Sequence, residues 1–255
     1  MASIIAPGLL ALISATPAQA HYPWLEPGDD GVRLYFGEPD AGLRESSPGK
    51  LDTIKLPRVV VVESGGAKAS GAPVIRKPMH LVVTDNKKAE AVLVAEESLE
   101  VRDLTKNGLG FAKTNYYTRY GKAGAEDALL ALDVRALPET NHYVVSYRGQ
   151  PLGKATLDLV APNTWVQQYK TDAQGQVKIN TPWRGQYIIH VLHVDKTPGE
   201  FTGVKYDILR NHHTYTFSQS QGADPGPAVP PLAPPKDAET VKSGSAPVPP
   251  AMPKE

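Results

Sequence analysis

The chain has 255 residues, 27 basic and 27 acidic side chains, and no cysteine. Zero formal net charge argues against a binder of nucleic acid or of an anionic membrane surface, since both draw on a basic excess. With no cysteine there can be no disulfide, zinc ribbon, iron–sulfur cluster or thiolate nucleophile, and no cysteine-linked lipid anchor is expected. Hydrophobic residues make up 41% of the chain, enough for an ordinary packed core.

Residues 2 to 20 carry no charge and hold an apolar run, Ile4 to Ile13, broken by Pro7 and Gly8. Ser14-Ala15-Thr16-Pro17 follows, then the small-x-small triplet Ala18-Gln19-Ala20. An apolar segment, a helix breaker and a small-residue triplet, in that order, make up a secretory signal peptide. Residues 1–20 are therefore expected to be cleaved after Ala20 and the protein exported. No Lys or Arg precedes the run, so either Met1's amine supplies the charge or the start is truncated or mis-assigned. The competing reading is a short buried helix. No stretch approaches 18 apolar residues, and no membrane-spanning helix is expected.

Short β-rich runs follow at Val32–Phe36, Val59–Val62, Leu81–Thr84 and Ala91–Ala95, separated by Gly, Pro, Asn and Asp clusters. Gly108 to Tyr120 fits a helical stripe (Phe111, Tyr116, Tyr117, Tyr120) or a strand, and strand is preferred for its threonines and paired tyrosines. Ala125 to Leu132 fits one short helix. From Tyr143 the pattern is regular: Tyr143–Tyr147, Ala155–Val160, Trp165–Lys170, Gln176–Asn180, Tyr187–Val194 and Thr214–Phe217, with turns at Arg148-Gly149-Gln150-Pro151 and Asp172-Ala173-Gln174-Gly175. Strand, tight turn and strand at this spacing predict an all-β, immunoglobulin-like sandwich. The expected organisation is a β-rich domain over residues 21–135 and a sandwich over 136–219. Ten of the 24 prolines fall in residues 221–255, so residues 220–255 are expected to form a solvated, disordered tail.

Most enzyme signatures are missing: there is no Gly-x-Ser-x-Gly elbow, phosphate-loop Gly-Lys-Ser/Thr or His-Glu-x-x-His. Ser64 to Gly71 is glycine-rich but reads as a solvated loop. Asp29-Asp30 and Glu96-Glu97 are sequence neighbours, so on a strand each pair points to opposite faces and makes a poor acid–base couple. No catalytic residue is expected.

The seven histidines, at 21, 80, 142, 190, 193, 212 and 213, are more informative. Cleavage after Ala20 would leave His21 with a free amine of pKa about 8 beside an imidazole of about 6.5, a bidentate nitrogen chelator. Pro23 lacks the N–H that chelation by successive backbone amides needs, so further ligands must come from the fold. His190 and His193 have opposite parity on a strand, as do His212 and His213, so one of each pair can join a given face. Three nitrogen donors suit Cu(II) or Ni(II), with Zn(II) or Co(II) also open. Two methionines besides Met1 make a Cu(I) site a poor fit. His80 and His142 read as ordinary surface or hydrogen-bonded residues.

The segment His21-Tyr22-Pro23-Trp24 resembles the His-x-x-Trp opening of a bacterial periplasmic family, domain of unknown function 4198. That family is related to the accessory component of nickel and cobalt uptake systems. Val32–Glu38, Arg148-Gly149-Gln150-Pro151-Leu152, Thr171–Val177, Gly185 to His193, Thr197-Pro198-Gly199-Glu200 and Tyr206-Asp207 extend the resemblance over residues 21 to 217. It implies an all-β periplasmic protein that handles transition metals, with His21 and His193 matching the family's recurrent histidines and His212 a looser match. Tyr22-Pro23 stands where the family more usually has Asp/Glu-Phe. The expected metal residues are thus His21, His193 and His212, the cofactor a divalent nickel, cobalt or copper ion, and the partner an envelope metal transporter or outer-membrane receptor. Two other readings are a scaffold or carbohydrate-binding sandwich using Trp24, Trp165 and Trp183, and a copper oxygenase with an N-terminal histidine brace.

Overall fold

The computed structural model describes residues 21–63, 68–71, 73–85, 89–121 and 129–232. These residues form an all-β sandwich, with two 3-10 turns as their only helical segments. The segment read as a signal peptide lies outside them, as do residues 125–128 of the helix expected from Ala125, while residues 129–131 are turn and bend rather than helix. The described end of that expected helix, Leu132, begins the strand Leu132–Ala136.

A five-stranded sheet runs Tyr22–Gly28, Gly31–Glu38, Leu81–Thr84 and Ile75–Arg76, with Leu43–Arg44 paired to Gly31–Glu38. Its first hairpin turns through Asp29-Asp30 and places Gly31 at φ +127, where a Cβ would lie 2.1 Å from the Thr84 carbonyl oxygen. Only glycine fits there. The amino-terminal strand holds Pro23 and Pro27, which a sheet tolerates because this strand is at its edge.

A central sheet of nine strands orders Val166–Lys170, Thr156–Val160, Gly185–Asp195, Ile208–Gln219, Phe111–Gly121, Ala91–Glu96, Arg58–Val62 and Lys68–Ser70, with Arg102–Asp103 on Phe111–Gly121. Its two longest neighbours, Phe111–Gly121 and Ile208–Gln219, pair in parallel, Tyr116 opposite His212 and Tyr117 opposite His213. The strand reading of Gly108 to Tyr120 agrees with this. Part of the glycine-rich stretch read as a loop, Lys68–Ser70, pairs with Val60–Val62 instead, and Ser64–Ala67 lie outside the described residues. A third sheet pairs Leu132–Ala136, His142–Tyr147 and Gln150–Pro151, with Gln176–Lys178 added to His142–Tyr147.

The central sheet is covered on both faces, and each face has its own core. Val92, Val94 and Tyr116 pack with Leu25, Leu34 and Phe36 of the amino-terminal sheet. Leu93, Tyr117, Ile189 and Tyr215 pack with Leu132, Val134 and Val145 of the third sheet. Double coverage explains why Ala91–Glu96 is buried at every position rather than at alternate ones. It also means that no division falls at residue 135. Leu132–Ala136 is the hairpin partner of His142–Tyr147, and the central sheet takes strands from both sides of that point.

The proline-rich segment does not leave the body at residue 220. Ala223 exchanges backbone hydrogen bonds with Pro182 and Arg184, at 2.8 and 3.0 Å. Leu232 does the same with Gly42 and Arg44, at 2.7 and 3.3 Å. These residues are solvent-exposed, yet their backbone is anchored at both ends; the stretch from residue 233 lies outside the described residues.

Between the central and third sheets lies a buried ion pair. Arg119 donates from Nε and Nη2 to the two Asp133 oxygens at 2.9 and 2.6 Å, in fork geometry. Burial raises the Asp133 carboxyl while the guanidinium pulls it down.

Candidate functional site

On the strand Gly185–Asp195, even-numbered side chains face the amino-terminal sheet and odd-numbered ones the third sheet. Ile188 packs with Trp24 and Tyr35, whereas Tyr187, Ile189 and Val191 join the opposite core. The strand Ile208–Gln219 follows the same rule. Thr214 donates its hydroxyl to the Pro23 carbonyl at 2.9 Å, and Tyr215 points the other way. Pleat parity thus decides which histidines meet.

His190 and His212 project to the same side as neighbours on a diagonal, since His190 lies opposite Thr214 and Leu192 opposite His212. His190 Nε2 lies 3.1 Å from His212 Nδ1, with both rings buried. Tyr22 stacks on His190 at a centroid distance of 3.9 Å and an interplanar angle of 7°. Tyr116 lies 5.3 Å from His212. Desolvation pushes the His190 imidazole down to about 3 and His212 well below its ordinary value, with His190 and Arg210 adding to the depression at His212. Both rings are neutral at physiological pH, and each keeps a lone pair for a hydrogen bond or a metal.

His193 sits on the other face, its ring 4.4 Å from that of Tyr147, and desolvation lowers its pKa as well. Of the expected trio, His193 has the wrong parity to reach His212, and the histidine beside His212 is His190. His213, also odd, turns into the opposite core, where its Nε2 accepts from the Val134 N–H at 3.3 Å.

His21 lies on the His212 side. It shares with His212 a cleft of about 440 Å³ whose walls include Phe36, Lys50, Thr114 and Tyr116. Its ring is clamped between two buried carboxylates, Nδ1 at 3.1 Å from Glu38 and Nε2 at 2.5 Å from Glu45. Lys50 reaches Glu45 at 3.1 Å. The ring nitrogens point apart, so one ion can use Nδ1 with Glu38 or Nε2 with Glu45, never both. No group of three or more His, Cys, Asp or Glu converges on one point among the described residues. What the fold does assemble is two donor pairs on one face, His190 with His212 and His21 with a glutamate.

The His190–His212 spacing has a chemical meaning. Two nitrogens about 2.0–2.1 Å from one ion, at the angles of octahedral or tetrahedral coordination, are about 2.9–3.4 Å apart. The observed 3.1 Å lies in that interval. It equally serves an N–H···N bond, and a metal could use both nitrogens only if that shared proton moved to the outer nitrogen of its ring.

The other chemistry-bearing residues have structural places. Glu96 accepts from the Lys55, Leu56 and Ser98 backbone N–H groups at 2.7–2.8 Å, which ties a loop to the sheet. Glu97 points away and accepts from the Tyr117 hydroxyl at 2.6 Å. Trp24 is buried, and Trp165 meets Trp183 edge-on at 77°, so the tryptophans present no shared flat platform. His80 and His142 lie beside Asp30 and Glu139 at the surface.

No protein-family model, curated protein or solved structure matches this chain.

Proposed function

We propose that this chain is an exported protein that binds a divalent transition metal, nickel, cobalt or copper, and buffers or supplies it to an envelope transport system. The observation that carries the reading is the His190–His212 pair, two neutral buried imidazoles 3.1 Å apart, one of which opens on the cleft that His21 shares. A buried pair of neutral imidazoles with nitrogens facing each other pays its desolvation cost once and offers two soft-to-borderline donors without displacing a proton from a charged group. Glu38 and Glu45 on the same face supply negative charge close to His21. The signal-like residues 1–20 support export.

Calorimetric titration of the chain beginning at His21 with Ni(II), Co(II) and Cu(II) tests the proposal. One equivalent is expected to bind, and His212→Gln to weaken it at least tenfold, while His193→Gln leaves it unchanged. No saturable binding of any of the three ions sinks the metal reading. Equal loss in both variants removes the assignment to the His190–His212 face.

A further inference from the structure

The cleft beside His21 has a second character that a metal alone does not explain. Besides His21 and His212 it is lined by Lys50, Arg102 and Arg210, with the hydroxyls of Thr53, Thr114 and Tyr116 among them. Lys50 is engaged by Glu45. Arg102 and Arg210 have no carboxylate partner among the described residues, and the Nε of Arg210 is buried without a hydrogen-bond acceptor. Arg102 is exposed and Arg210 half-buried, whereas other arginines are paired: half-buried Arg44 with Glu26, Arg33 with Asp30, and fully buried Arg119 with Asp133.

A buried N–H with no acceptor costs free energy that a ligand oxygen would restore. Two guanidinium groups without a carboxylate partner, exposed Arg102 and half-buried Arg210, line one concavity and add positive potential there. Both line the same cleft as Tyr116 and His212, and Arg210 lies opposite Thr114, itself a wall residue, on the parallel neighbouring strand. Guanidinium forks match carboxylate and phosphoryl oxygens in pairs, as isolated ammonium groups do not. The volume is that of a site for a small organic molecule rather than for a lone inorganic ion.

We propose that this cleft binds a small, multiply charged oxyanion, a di- or tricarboxylate or a phosphorylated metabolite, between Arg102 and Arg210, with Lys50 and the threonine hydroxyls as further donors. The site stands independently of the metal reading, because its evidence is the unpaired cations and not the imidazole pair. It comes from separate parts of the chain: Arg102 precedes the strand Phe111–Gly121 on which it folds back, and Arg210 arrives on the parallel strand beside it.

The test is calorimetric titration of the metal-stripped chain beginning at His21 with citrate and, separately, with inorganic phosphate. Wild type is compared with Arg102→Gln/Arg210→Gln and with Arg184→Gln, an exposed arginine far along the sequence and outside the cleft lining. Saturable binding is expected, weakened at least tenfold in the double variant and unchanged in Arg184→Gln. Citrate tighter than phosphate assigns the carboxylate class, and the reverse the phosphoryl class. The ligand-free melting temperature of the double variant is expected to equal or exceed that of wild type, since like charges are removed, which separates lost binding from lost folding. Equal affinity in all three proteins overturns the proposal, as does the absence of saturable binding by both anions. Neither outcome touches the metal titration, which is run without them.

Discussion

His190, His212 and His213 are all buried as neutral rings, and burial holds each below the usual imidazole range, His190 down to about 3. In the unfolded chain each returns to a pKa of about 6.5. Below that value the unfolded state takes up protons that the folded state refuses, so stability is full above about pH 7 and falls as the pH drops through 6.5. For His190 the fall continues until about pH 3. From pH 7.5 to 5.5 each ring that stays neutral removes about 1.4 kcal/mol, and the three together about 4 kcal/mol. Half-buried His193 adds a smaller loss of the same sign. Against a typical stability of about 5–15 kcal/mol this is a large fraction, equivalent to about 8–16 °C in melting temperature. Urea unfolding at pH 5.5, 6.5 and 7.5, followed by tryptophan fluorescence, measures it directly. His190→Phe keeps a ring stacked on Tyr22 and removes one titrating group, so its loss over the same interval is expected to be smaller by about 1.4 kcal/mol. A wild-type stability that changes by less than about 1 kcal/mol between pH 7.5 and 5.5 refutes the neutral, buried state of these rings.

Other consequences concern the frame that holds the site. Arg119→Met leaves the Asp133 carboxylate buried without its fork and is expected to cost about 3–5 kcal/mol in urea unfolding. Adding Asp133→Leu should recover much of that loss; no recovery would mean that Arg119 acts by packing alone. Gly31→Ala places a methyl against the Thr84 carbonyl at a positive φ and is expected to cost about 2 kcal/mol or more. An unchanged midpoint would show that the Asp29-Asp30 turn is not held as described.

Much of the fold was legible because strands of β-branched and aromatic residues alternate with Gly, Asp and Pro turns, and nearly every expected strand after Val32 is found. Other features were not. The strand Tyr22–Gly28 carries two prolines that argue against a strand, and only its edge position permits them. Leu132–Ala136 begins at a residue expected to end a short helix, and its Asp133 is buried only because Arg119, on another strand, lies beside it. The choice of His190 over His193 was out of reach because both faces of Gly185–Asp195 are apolar, so local polarity does not show which face meets which sheet. Parity limited each histidine pair to one member per face, and that limit holds in the structure. The unpaired Arg102 and Arg210 had no sequence signal at all, since a missing partner is visible only in three dimensions.

The most direct test of the metal site is X-ray absorption at the metal edge of the chain beginning at His21, loaded with one equivalent of Ni(II) or Cu(II). The His190–His212 site predicts scattering from at least two imidazoles, reduced by at least one in His212→Gln. A shell of oxygen and nitrogen neighbours without imidazole, or the same imidazole count in both proteins, would contradict it.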